Sequence, residues 1–190
     1  MKEDFDMSNV YKQIQVGKVV LKVKFDYDAE SPRKWDNLGK MVCWHRRYNL
    51  GDDHDFKTPS DFQREINERN AIILPLYLYD HSGITMNTTG FSCPWDSGQV
   101  GYIYALKEDV KREYGVKRIS KKLKEMVERQ LVAEVEVYDQ FIQGNTFGFV
   151  LEDEDGNEID SCWGFIGDDF VENGMKDYLP KEFHEAIAKL

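Results

Sequence analysis

The stretch ISKKLKEMVERQLVAEVEVYDQFI, residues 119–142, decides the fold. Ile119, Leu123, Met126, Val127, Gln130, Leu131, Val135, Tyr138, Phe141 and Ile142 recur at steps of three and four, the spacing that lines up side chains on one stripe of an α-helix. A long amphipathic helix is therefore predicted, ended by Gly144. Such a helix has to bury its stripe against other elements, and the flanking sequence supplies strands for that purpose.

Downstream, residues 146–152 and 159–166 alternate around the acidic turn Asp153-Glu154-Asp155-Gly156-Asn157 and predict a β-hairpin. Short helices are expected over 168–178 and 180–190. Upstream lie a short helix at 107–114 closed by Gly115, a strand at 99–105, and a loop at 88–98. Residues 71–79 read as a buried strand in which Pro75, lacking an N–H, has to sit at an edge or bulge. A turn at 80–83 then leads into 84–87. Thr58-Pro59-Ser60-Asp61 is a helix start: a hydroxyl to cap amides, Pro in the first turn and an acid favourable to the dipole. That helix is expected to reach Asn70. A strand is expected around 40–47 between two loops. Val19, Leu21, Val23, Phe25 and Tyr27 alternate with mostly polar neighbours, as in a half-buried strand over 17–27. The expected architecture is one α+β domain over 1–190: a mostly antiparallel sheet of six to seven strands, one long amphipathic helix and several short helices. Residues 1–10 are expected to form a flexible arm.

At 190 residues, with 41% hydrophobic, 13% aromatic and 32% charged side chains, the chain can bury a real core and is not of disordered composition. It has no apolar run of membrane-spanning length and no basic-then-apolar leader at its start, so a cytoplasmic protein is expected. A net charge of -10 disfavours general nucleic-acid binding. Cys43, Cys93 and Cys162 are odd in number and widely spaced, so disulfides do not organise the fold.

Neither a dinucleotide-binding glycine pattern nor a P-loop is present. Asp26-x-Asp28-x-Glu30 opens like a calcium loop but lacks its glycine and closing glutamate. Cys162-Trp163 has only His184 downstream and reads as a packed cysteine. Cys43, His45, His54, His81 and Cys93, or Asp52, Asp53, Asp55, Asp80 and Asp96, are metal-ligand types without a recognised spacing. No cofactor is predicted, and a divalent metal is left as an alternative. Lys117, Arg118, Lys121, Lys122 and Lys124 crowd the start of the long helix, where positive charge opposes the dipole. They read as a solvated face partnered by Glu125 and Glu128, or as a partner surface.

What stands out is the concentration of Trp, Cys, His, Asp and Gly in 28–55, 79–98 and 160–169. Such loops are costly to order unless they pack together or bind something. One convergent pocket or contact surface is expected. Its binding candidates are Asp28, Arg33, Trp35, Asp36, Arg46, Asp52, His54, Asp80, Cys93 and Trp95, and its acid–base candidates are His45, His81 and Asp96.

Ser31-Pro32-Arg33, Trp35-Asp36-Asn37-Leu38-Gly39, Met41 to Asp52, Leu74 to Met86, Cys93-Pro94-Trp95-Asp96-Ser97-Gly98-Gln99-Val100-Gly101 and Asp160-Ser161-Cys162-Trp163-Gly164 resemble a family of small proteins of bacteriophages and mobile elements, over about residues 20–175. The resemblance implies an accessory, anti-defence protein and carries no catalytic role. The expectation is a binding protein that engages a host or defence protein through a Trp/Asp/Arg-rich loop surface. The alternatives are a metal-assisted hydrolase of a phosphate-containing substrate, with Arg33 or Arg46 as clamp, and a protein that sequesters a nucleotide.

Overall fold

The computed structural model describes residues 9–190. In chain order its elements are β1 (Val10–Val16), β2 (Val19–Phe25), β3 (Lys40–Cys43), α1 (Pro59–Glu65), β4 (Ala71–Asp80), β5 (Ile84–Asn87), β6 (Ser97–Leu106), α2 (Lys107–Glu113), α3 (Lys121–Ile142), β7 (Thr146–Glu152), β8 (Glu158–Ile166), α4 (Met175–Tyr178) and α5 (His184–Ile187). The architecture is α+β with antiparallel pairing throughout, in two four-stranded sheets ordered β1-β2-β7-β8 and β3-β6-β4-β5. The described strands number eight rather than six or seven, the addition being β1. Of the arm expected over residues 1–10, residues 1–8 lie outside the described residues, and Val10 already belongs to β1.

The chain divides into two compact units, one formed by residues up to Glu30 with Gly144–Leu190, the other by Ser31–Gln143. In the first, Leu21, Val23 and Phe25 on β2 stand opposite Leu151, Phe149 and Phe147 on β7. Phe170, Met175, Leu179, Phe183 and Ile187 close over this row, each full burial contributing about 1.5–3 kcal/mol. Lys22 on β2 and Glu152 on β7 form a buried ion pair at 2.5 Å. The acidic turn between β7 and β8 is held by Asp153, whose carboxylate accepts from the amides of Asp155 (2.9 Å) and Asn157 (2.8 Å). Bonds from the Asn157 side chain and these amides hold Asp153 below the usual carboxylate range, so the cluster serves the turn itself.

In the second unit, period-two alternation splits the sheet. Met41, Leu76, Leu78, Met86, Ile103 and Ala105 meet Val127, Leu131, Val135 and Tyr138 of α3. The interleaved Val42, Ala71 and Tyr104 pack with Phe62 and Ile66 at α1. Pro75 falls where β4 is an edge, because β5 pairs only with Tyr77–Asp80, and a register shift follows between Leu76 and Tyr77. At α1 the Thr58 hydroxyl accepts from the Asp61 amide and Asp61 bonds back to the Thr58 amide at 3.0 Å, a reciprocal capping box. The helix stops at Glu65, short of Asn70, because the Asn70 side chain takes the Glu65 carbonyl (2.8 Å) and accepts from the Asn67 amide (2.9 Å). Similarly, Asp169 and Asn173 bond the amides of Val171, Glu172 and Met175, so the helix expected over 168–178 is reduced to α4.

Candidate functional site

The second unit holds most of the candidate residues, and its geometry sorts them into separate places. Ser31 caps a single 3-10 turn, Pro32–Lys34, that turns the Arg33 side chain inward. Only 6% of that side chain is exposed. Its guanidinium bonds Asp52 twice, Nε to Oδ1 at 2.9 Å and Nη2 to Oδ2 at 2.8 Å. Nη2 also reaches the Gly39 carbonyl at 2.6 Å, and Nη1 reaches Glu134 at 3.3 Å. Asp52 accepts from the Met41 amide (2.8 Å), and Glu134 of α3 accepts from the amides of Leu38 and Gly39. A Cβ at Gly39 would lie 2.5 Å from Leu131 and 2.7 Å from Glu134, so a larger residue there would have to displace both side chains.

The charges in this knot are mutually adjusted. Burial disfavours the Arg33 cation, yet bonding and attraction to Asp52 and then Glu134 raise its pKa overall. Burial pushes Glu134 upward, and the Gly39 amide and Arg33 only partly oppose it. Burial and the nearby Asp52 push the Cys43 thiol up to about 12. Gly51, at φ 78°, donates its amide to the Tyr138 hydroxyl at 2.8 Å and completes the clamp between loop and helix. Arg33 and Asp52 thus spend their polar atoms on one another, on Glu134 and on backbone.

His54 lies beside this knot, in a cavity of about 900 Å3 shared with Asp52, Asp53 and Asp55. Its Nε2 meets the Cys43 carbonyl at 3.1 Å, while its buried Nδ1 has no hydrogen-bond partner among the described residues. The ring packs edge-on against Trp44 and tilted against Phe56. Trp35 lines a neighbouring groove of about 500 Å3 with Arg33 and Asp52.

Asp80, His81, Cys93 and Asp96 come together where β4 ends and β6 begins. His81 Nδ1 lies 3.3 Å from Asp96 Oδ2, and Cys93 Sγ lies 3.7 Å from the same oxygen. The imidazole and the carboxylate face one another as an exposed pair, the two groups that a general-base arrangement needs. The sulfur bonds the carboxylate and not the imidazole, so the group is not a Cys–His nucleophile pair. Asp80 is held by Arg47 and by the Tyr48 hydroxyl. His45 stacks on Tyr48 with ring centroids 5.0 Å apart and accepts from the amides of Arg47 and Tyr48. The strand expected to reach Arg47 ends at Cys43, which leaves residues 45–48 to make this turn. His81, Tyr48 and Tyr79 line a groove of about 560 Å3.

The loop that carries Cys93 and Asp96 is tethered at both ends. Asn87 Oδ1 accepts from the amides of Thr89 and Gly90, and Phe91 packs against Tyr79 at 5.7 Å. Ser97 bonds the Cys93 carbonyl at 2.5 Å, and the Asp80 amide bonds the Asp96 carbonyl at 2.8 Å. Between these anchors Trp95 is 92% exposed.

The remaining candidates stand apart. Asp28 belongs to the first unit and is exposed, as are Asp36 and Arg46 in the second. Arg47, not Arg46, makes the ion pair. The residues that sequence reasoning missed are Glu134, Arg47 and Tyr48. Glu134 offered one signal, an acid bordering the buried stripe next to Val135. Among the described residues no three His, Cys, Asp or Glu side chains are grouped to hold a metal ion, and no helix is long and apolar enough to cross a membrane. No protein-family model, curated protein or solved structure matches the chain.

Proposed function

We propose that the protein acts by binding, as an accessory protein of a bacteriophage or mobile element that docks its Trp95 loop onto a host or defence protein. The observation that carries this reading is the 92% exposed indole on a loop fastened on both sides of it. A large apolar side chain held out in water gains most when a partner pocket covers it, and a pre-ordered loop loses little entropy on docking. Asp96 beside it, in a chain of net charge -10, favours a partner whose pocket is rimmed by Lys and Arg.

The test is capture from bacterial lysate at low and moderate salt by wild type, Trp95→Ala and Trp163→Ala. A stoichiometric partner retained by wild type and Trp163→Ala and lost by Trp95→Ala is the expected result. Equal recovery by all three, or no stoichiometric partner, contradicts the reading.

A second reading rests on the His81–Asp96 pair, of which His81 lines the 560 Å3 groove: general-base hydrolysis of a phosphate-containing substrate. It predicts turnover of phosphate esters that is lost in His81→Ala. It draws no support from Arg33 or Asp52, whose polar groups are already engaged.

A further inference from the structure

Six cationic side chains, Lys107, Lys111, Lys117, Arg118, Lys121 and Lys124, line one open groove of about 400 Å3 in the second unit, and no acidic residue lines it. Across the whole chain Asp and Glu outnumber Lys and Arg 35 to 25. Residues 107–124 reverse that balance, with eight bases against three acids. The groove is therefore a local inversion of the field of the rest of the molecule.

The backbone that gathers these charges is well fastened. The Gly115 and Val116 amides bond the carbonyls of Arg112 and Lys111, closing α2 and turning the chain back. The Tyr114 hydroxyl donates to Gln130 of α3 at 2.8 Å, and Ile119 packs on the core between the two helices. The cations are poorly compensated within the protein. Among the described residues the Lys107 ammonium meets the carbonyls of Glu68 and Arg69 and no carboxylate. Lys121 and Lys124 make exposed pairs with Glu125 and Glu128 at 3.9 and 3.4 Å, contacts worth little in water. Among the described residues no carboxylate pairs with Lys111, Lys117 or Arg118.

We propose that this groove binds a compact polyanion carrying two or more linked phosphate groups. A single monovalent anion neutralises too little of the charge, whereas linked phosphates present several oxygens to one Arg and several Lys at once. Nucleic acid fits less well. The groove offers no aromatic side chain for base stacking, and outside residues 107–124 acids outnumber bases 32 to 17, so an extended polyanion is repelled.

The experiment is calorimetric titration of the full chain with inorganic tripolyphosphate, at about 50 and about 200 mM salt. Parallel arms use inorganic phosphate, a nucleoside triphosphate and a single-stranded octanucleotide. The expected result is one saturable site for tripolyphosphate, weakened by salt and weakened about tenfold or more in Lys117→Ala/Arg118→Ala and again in Lys111→Ala, with unchanged circular dichroism. Monophosphate is expected to bind far more weakly. A nucleoside triphosphate that binds more tightly than tripolyphosphate assigns the phosphates to a nucleotide and supports the proposal. No saturable binding, affinity unmoved by both variants, or tighter binding of the octanucleotide than of tripolyphosphate overturns it.

Discussion

The Arg33 guanidinium and the Asp52 carboxylate meet edge to edge through two hydrogen bonds of 2.9 and 2.8 Å. Removing the cation leaves Asp52 and the largely buried Glu134 facing one another without compensation. Arg33→Ala is therefore expected to lower the unfolding free energy by about 3–5 kcal/mol, read from urea unfolding. A loss under about 1 kcal/mol would mean that the pair is a surface contact.

The upward shift of Glu134 fixes the sign of a pH effect. A carboxyl whose pKa is higher folded than unfolded holds its proton more tightly in the native state. Its stabilising contribution is complete below the ordinary glutamate range and declines as pH rises through the raised value. The stability of wild type minus that of Glu134→Gln is thus expected to fall with rising pH just above the ordinary range and then level off. A difference that grows with pH would show that attraction to Arg33 outweighs burial.

A thiol near 12 is almost wholly protonated at neutral pH, and the Cys43 side chain is packed against the α3 core. Iodoacetamide at pH 8, followed by peptide mass mapping, is expected to label Cys93 well before Cys43, with Cys43 modified only on unfolding. Equal labelling rates in the folded protein would contradict the packing described.

Trp95 and Phe62 separate function from folding. Because Trp95 is 92% exposed, Trp95→Ala is expected to change stability by no more than about 0.5 kcal/mol. Phe62, 1% exposed between α1 and the sheet, is expected to cost about 3–5 kcal/mol when truncated to Ala. Thermal unfolding of the two variants measures the contrast.

Much of the fold was legible because local rules and tertiary packing agree. The three- and four-residue spacing of α3, the capping chemistry of Thr58 and Asp61, the edge position of Pro75 and the β7–β8 hairpin all follow from nearest neighbours in the chain. β1 was not recognised because Lys12 interrupts its inward row of Val10, Ile14 and Val16. Lys12 is half-buried there, with its ammonium 5.6 Å from the Phe170 ring centroid, a contact between residues far apart in sequence. The candidate residues divide along the same line. That His81, Cys93 and Asp96 meet depends on β4 and β6 pairing, which places Asp80 beside Asp96. That Arg33 is a buried keystone depends on Glu134, 101 residues away, and residue type alone does not separate a buried guanidinium from one offered to a ligand. The two compact units also keep Asp28 in a different body from the other candidates.

The central claim is that a partner covers Trp95. A photo-crosslinking amino acid placed at position 95, and in a separate variant at position 163, reads this directly after irradiation in bacterial lysate and mass spectrometry of the adducts. One dominant protein adduct from position 95 that is absent from position 163 is the predicted result. The same adducts from both positions, or none from position 95, would contradict the account.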